Sequence, residues 1–492
     1  MIMDYSEKRF ALVRELHDSP TLLSLAVSGG GTLVISELLA VPGGSRTVLE
    51  AAVPYTHESL ARFVGRIPDQ YCCTRTARQL AMAAFDRGLW NLKAQKLEYL
   101  RSADRLFDTG RDGTSFNQLE WEKLFAQHGK EKFAAREAMP IVHLDTFQDL
   151  IGVGCSASLV TDREKKGDCR VHVAVQTLNR TMVCSLVLAK DARTRAEEER
   201  LVADLIFNLI FQVRDAEQQY STRQITPIVR NDEGLPVPCR QAFLLGIPDT
   251  FRLEERLPLS LKEGETIETR QTAGSQLFVD IFFGNTVAVL WRNGEIEQFK
   301  LRKELPTAFS PNDEMPGMTT PKIMFPGSFS PIHEGHLEMI RIAERRMEME
   351  VALELSMRNI EKPPIDFISL EDRLRDIDAK SPGRAVWVTQ APTYAEKARL
   401  FPGSTYIIGA DTLKRIADLK HYRYNLRNLH DMLRGIAYRK CRFLVYARRC
   451  GNELQTLETL EIPDMLRSLC DEVPASEFVR HISSNELRKH EF

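Results

Sequence analysis

Apolar and polar positions fall in alternating blocks along this chain. Residues 22–27, Leu-Leu-Ser-Leu-Ala-Val, form a short, nearly continuous apolar run that reads as a strand. Ser28-Gly29-Gly30-Gly31-Thr32 then turns tightly into 33–39, a short helix broken by the Pro-Gly-Gly of 42–44. Residues 48–55, 150–154 and 169–176 predict further strands. Across 195–219, Leu201, Leu205, Leu209 and Val213 recur at helical spacing and predict one long amphipathic helix. Strands alternating with helices predict a layered α/β domain over residues 1–220.

The texture changes after that. Residues 277–283, 286–291 and 296–301 are short β-rich runs separated by Gly284-Asn285 and Asn293-Gly294, which predict hairpin turns. They imply a small antiparallel β module over 221–305. Residues 306–320, rich in Pro, Ser, Thr and acidic side chains, read as a linker. In 321–492, Ile323, Met324 and Phe325 predict a strand, and Leu337, Ile340 and Ala343 share one face of a following helix. Near the C-terminus, 478–482 alternates weakly like a strand, and Ser483 with Glu486 fits the capping box of a helix start.

Composition narrows the class without deciding it. At 492 residues, two or three domains are expected, and 43% apolar with 27% charged residues is ordinary for a globular protein. A net charge of −2 argues against a general nucleic-acid coat. The basic cluster from Arg423 to Arg449 reads either as a solvated helix face or as a field drawing in polyanionic substrates. Nine cysteines lie scattered without a C-x-x-C pair, which fits reduced thiols and no metal site. The longest apolar run, 205–213, is too short for a membrane span, and the first fourteen residues carry early charges. A cytoplasmic protein with no membrane partner is expected.

Candidate chemistry concentrates at residues 325–336, Phe-Pro-Gly-Ser-Phe-Ser-Pro-Ile-His-Glu-Gly-His. Strand, glycine-containing turn and helix N-terminus together aim free backbone N–H groups at a phosphate. His333 and His336 add side-chain donors at the same place, and Gly327 and Gly335 let the backbone come close. When a phosphate oxygen attacks an α-phosphorus, negative charge grows on the equatorial oxygens and on the departing pyrophosphate. Donors fixed around those oxygens catalyse the step without a covalent residue. The second helix start, Ser483-Ser484 with Arg488, offers another anion site whose guanidinium suits a β,γ-phosphate grip.

These two segments resemble the signatures of the HxGH-type nucleotidyltransferases. Residues 405–413, Thr-Tyr-Ile-Ile-Gly-Ala-Asp-Thr-Leu, are similar to the adenosine-contacting segment of nicotinate or nicotinamide mononucleotide adenylyltransferases, and Thr393-Tyr394 stands where those enzymes carry a Tyr-Thr pair near the pyridine nucleotide. The resemblance covers about residues 321–492. It implies a doubly wound, Rossmann-like parallel sheet and transfer of AMP from ATP to a pyridine mononucleotide, with Mg²⁺ accompanying ATP. It assigns catalysis to His333, His336 and Arg488, and nucleotide binding to Gly327, Ser328, Phe329, Gly335, Gly409, Asp411, Ser483 and Ser484. Thr393 and Tyr394 would meet the acceptor. A cytidylyltransferase, a phosphopantetheine adenylyltransferase or a non-catalytic nucleotide sensor stays open beside this reading. The Asn485 position departs from the usual threonine.

A second resemblance covers about residues 5–220. Residues 26–32, 41–45 and 53–55 are similar to CinA-type nicotinamide-nucleotide amidases, with Ser28 at the nucleophile position and Tyr55 at the family's tyrosine. Val27 replaces the expected Glu, and the Lys expected after the tyrosine is missing, which leaves His57 as the nearest base. A degenerate amidase site, kept for ligand sensing or homo-oligomer formation, is implied. Its glycine turn remains a place for a phosphate.

Overall fold

The computed structural model describes residues 5–105, 147, 149–162, 166–221, 244–245, 248–274, 276–283, 286–301, 320–359, 362–422, 424–450 and 453–478. Two sheets organise them. The first contains β1 (Leu22–Ser28), β2 (Val48–Ala52), β3 (Leu150–Ser158), β4 (Cys169–Gln176), β5 (Arg180–Leu188), β6 (Leu244–Leu245) and β7 (Ile267–Gly274) in the order β2-β1-β3-β4-β5-β7-β6. β1 is parallel to β2 and β3; the remaining pairs are antiparallel. Leu23, Leu25 and Val27 of β1 pack in the same core as the helix Arg195–Ser221, and Ala26 packs on the other side with Leu80 and Ala84. Burial on both faces is why this strand reads as a continuous apolar run.

The helix Thr74–Arg105 lies against β3 at close range. A Cβ on Gly152 would stand 2.4 Å from the Ala81 carbonyl oxygen, and one on Gly154 would stand 2.2 Å from that of Ala77. In the helix Arg195–Ser221, residues 201–211 are buried throughout, beyond the stripe expected from spacing. A strap of chain covers its outer side: Leu257 and Leu259 join the core, and the Asn208 amide exchanges two 2.8 Å hydrogen bonds with the Leu257 backbone.

The second sheet contains β8 (Thr286–Arg292), β9 (Glu295–Leu301), β10 (Ile323–Pro326), β11 (Val351–Ser356), β12 (Val386–Thr389), β13 (Thr405–Gly409), β14 (Arg442–Tyr446) and β17 (Cys470–Val473). β15 (Arg448–Cys450) and β16 (Glu453–Gln455) form a separate hairpin. The order is β17-β14-β13-β10-β11-β12-β8-β9, with β10 to β14 and β17 all parallel. Counting from β10, that core runs 3-2-1-4-5-6, the doubly wound order, with its switch point between β10 and β13. Helices Glu334–Met347 and Phe367–Lys380 share one core with the sheet; Tyr394–Leu400, Ala410–Ala417 and Leu426–Tyr438 share another.

Two expectations for 221–305 require correction. Its described strands form no sheet of their own: β6 and β7 extend the first sheet, while the β8–β9 hairpin adds antiparallel to β12 in the second. The Asn293-Gly294 turn closes that hairpin with φ of 51° and 83°; Gly284-Asn285 lies outside the described residues. Residues 277–283 are helix, Gln276–Phe283, rather than strand. Phe278 and Ile281 pack into the second sheet's core, while Val279 and Phe282 pack with Phe85 and Leu150 of the first. A short helix with apolar residues facing two cores, broken only by Asp280, carries too little period to be told from a buried strand.

Candidate functional site at the switch point

β10 ends in the turn from Gly327 to Ile332. Phe329 takes a left-handed φ of 40° and sends a fully buried ring beneath the turn, 5.4 Å from Phe325 and 5.2 Å from His336 between ring centroids. A Cβ on Gly327 would meet that ring at 2.6 Å, so the turn requires glycine there. The helix Phe367–Lys380 holds the next residue by both backbone groups. Asp376 Oδ2 accepts from Ile332 N–H at 2.8 Å, and Lys380 Nζ donates to Ile332 O at 2.7 Å.

His333 caps the helix Glu334–Met347, and its ring stacks on His336 at 3.6 Å. Burial, helped by the positive charges of Arg448 and Lys380, pushes the His333 pKa down to about 4. Burial, then His333, Arg448 and Lys380, takes His336 to about 3. Both rings are therefore neutral at pH 7. His336 Nδ1 accepts from the His333 backbone N–H at 3.2 Å, which leaves Nε2 to carry the proton. His336 is thus a fixed neutral donor. His333 Nδ1 is buried without a hydrogen-bond partner.

These side chains open on a cavity of about 650 Å³ lined by Gly327, Ser328, His333, Gly335, His336, Tyr394, Gly409 and Asp411. Asp411 Oδ1 is buried without a hydrogen bond, 3.6 Å from Arg448 Nη1, an ion-pair separation. Phe329 lies beneath the cavity as core. Thr393 caps the helix Tyr394–Leu400, its hydroxyl bound to Glu396 at 2.7 Å. Ser483, Ser484 and Arg488 lie outside the described residues. Of the basic cluster, Arg448 reaches the cavity, while Arg442 pairs with Asp471 and Arg434 with Asp431.

Sequence reasoning missed several lining residues. Glu354 of β11 accepts from Thr389 Oγ1 at 2.5 Å and from Lys397 Nζ at 2.9 Å, an ion pair 1% and 6% exposed at the cavity floor. Its one sequence signal was a lone carboxylate inside an apolar strand. Arg358 and Lys362 after β11, Arg373, Arg415, and Arg66 and Arg75 of the N-terminal unit had none. Cations outnumber carboxylates here, which suits polyphosphate. Among the described residues, no group of three or more His, Cys, Asp or Glu could hold a metal. No helix among the described residues is long and apolar enough to cross a membrane.

The other candidate site is differently built. Ser28 Oγ donates to the Pro54 carbonyl at 2.9 Å, whereas an activated serine donates to a base. Tyr55 is 61% exposed, and His57 stacks on Tyr71 at 4.0 Å. The turn expected to accept a phosphate is occupied by the Glu199 carboxylate, which accepts from Gly31 N–H (2.9 Å), Thr32 Oγ1 (2.6 Å) and Leu33 N–H (3.1 Å). Burial disfavours its charge, but these hydrogen bonds outweigh burial and hold the pKa below the usual carboxylate range.

Residues 324–490 match the cytidylyltransferase-like family model, so the C-terminal third carries a domain of that nucleotidyltransferase type. No curated protein matches the chain. The crystal structure of competence/damage inducible protein CihA from Agrobacterium tumefaciens covers 45% of this chain and 96% of its own, at 13% identity and a TM-score of 0.24. At that score the likeness carries no argument.

Proposed function

We propose that the cytidylyltransferase-like domain transfers AMP from MgATP to the phosphate of a pyridine mononucleotide, nicotinate or nicotinamide mononucleotide, releasing pyrophosphate. A phosphate oxygen of the acceptor attacks the α-phosphorus, forming one P–O bond. The bond from the α-phosphorus to the bridging oxygen breaks, and pyrophosphate leaves with the electron pair. The observation that carries this reading is the neutral His333–His336 pair, its Nε2–H donor fixed by tautomer, at the switch point of a cation-lined cavity. A neutral donor stabilises growing negative charge without forming a tight ion pair with the ground state. Arg448 and Arg415 supply positive charge on the same side. Arg488 would grip the β- and γ-phosphates.

The test offers ATP or CTP to the purified full-length protein with Mg²⁺ and, in turn, nicotinate mononucleotide, nicotinamide mononucleotide and phosphopantetheine. Pyrophosphate release with ATP and a pyridine mononucleotide is expected. Release only with CTP, or only with phosphopantetheine, would replace donor or acceptor. No release from any pair would leave a different acceptor or a nucleotide-binding domain without turnover, which ATP binding then separates.

A further inference from the structure

We propose that the N-terminal unit supplies part of the acceptor site: Arg66 and Arg75 hold an anionic group of the acceptor nucleotide against the turn before His333. This rests on the nucleotidyl-transfer reading and deepens it. Arg66, Ile67, Arg75, Gln79 and Met82 line the same cavity as His333. Arg75, in the first turn of the helix Thr74–Arg105, places Nη2 3.4 Å from Ser330 Oγ in the Gly327–Ile332 turn. Asp69 stands between the guanidiniums, 2.8 Å from Arg66 Nη2 and 3.4 Å from Arg75 Nη1. Arg358 and Lys362 line the same cavity as these two guanidiniums.

The occupant is the acceptor because of which half of the sheet is walled. In a doubly wound sheet, two mononucleotide-binding halves flank the switch point. Gly409, Asp411 and Arg448 belong to the β13–β14 half, where the donor nucleotide is expected. Arg75 meets the turn after β10, and Arg78, three residues on, ion-pairs with Asp366 after β11, Nε to Oδ1 3.1 Å. Residues 66–82 therefore wall the β10–β11–β12 half. With the donor's adenosine expected on the β13–β14 half, the β10–β11–β12 half is the one left for the acceptor, whose phosphate then reaches the α-phosphorus in line with the departing pyrophosphate. The wall is also rigidly set, since its helix is fixed against Gly152 and Gly154 of β3.

The experiment compares full-length protein with its Arg66→Gln and Arg75→Gln variants, measuring KM for MgATP and for each pyridine mononucleotide by pyrophosphate release. Losing a charge-assisted contact should raise the acceptor KM about 10- to 100-fold. The MgATP KM stays near its wild-type value and reports an intact fold. A rise for nicotinate mononucleotide alone assigns the guanidiniums to the ring carboxylate; an equal rise for both assigns them to the phosphate. Unchanged acceptor KM in both variants, or a rise confined to MgATP, overturns the proposal. If wild-type protein releases no pyrophosphate, the transferase reading fails by itself. Calorimetric titration with the two mononucleotides then decides: binding lost in Arg75→Gln supports the proposal, and equal binding, or none in wild type, overturns it.

Discussion

His336 owes its chemistry to three neighbours: the His333 N–H that fixes its tautomer, the aromatic rings that bury it, and the cations that keep it neutral. If Nε2–H stabilises the transition state, His336→Ala lowers turnover about 10²–10³-fold in the pyrophosphate-release assay; full activity would remove it from that role. The same burial makes a stability prediction. The His336 pKa is about 3 in the folded protein against an ordinary 6.5, so below pH 6.5 the unfolded chain takes up the proton first. The stabilising contribution is complete above pH 6.5 and is lost as pH falls toward about 3, with His333 acting alike toward about 4. Thermal midpoints should therefore drop from pH 7 to pH 5, and less steeply in His336→Gln. Equal slopes would detach His336 from the acid limb. The histidines were legible from their spacing; Lys397 was not, because a lysine on a helix is ordinarily solvated and only the fold puts Glu354 beside it.

At the scale of elements, polar termini behave as their residues predict, but their partners come from far along the chain. The amides at the start of the helix Leu33–Ala40 point at an anion, as the glycine turn implied, and that anion is Glu199 from a distant helix. Glu199→Ala should cost about 1–3 kcal/mol, read as a lower thermal midpoint, since two backbone N–H groups lose a charged acceptor. An unchanged midpoint would mean that water replaces the carboxylate without loss. The helix Gln276–Phe283 shows the opposite limit. Its run of apolar residues suits a buried strand or a buried helix equally, and packing between two cores selected the helix.

Across the whole molecule, the two sheets are joined by that apolar helix and by Phe367–Lys380. Thr181 Oγ1 accepts from Phe367 N–H at 3.0 Å, Thr272 Oγ1 donates to Glu371 at 2.6 Å, and Arg78 pairs with Asp366 with both side chains under 10% exposed. The helix that clamps Ile332 is therefore itself seated on the N-terminal sheet. Arg78→Ala leaves the Asp366 carboxylate with its Ser369 N–H and Oγ–H hydrogen bonds but without its cation, and should cost about 1–3 kcal/mol. In calorimetry, one unfolding transition in wild type should separate into two. A single transition in the variant, at the wild-type temperature, would show that the seam does not depend on this pair.

The sequence alone determined what depends on neighbours along the chain: the strand at residues 323–325, the glycine turn before His333 and the start of the helix that follows it. Each follows from local sterics and side-chain spacing. The tertiary structure decided what depends on distant partners. It divided the central β-rich stretch between two sheets, filled the Ser28 turn with Glu199, fixed the His336 tautomer, and set Arg66 and Arg75 on the cavity of another unit. Burial, electrostatic field and hydrogen-bond partner are properties of the assembled core, and no local pattern records them.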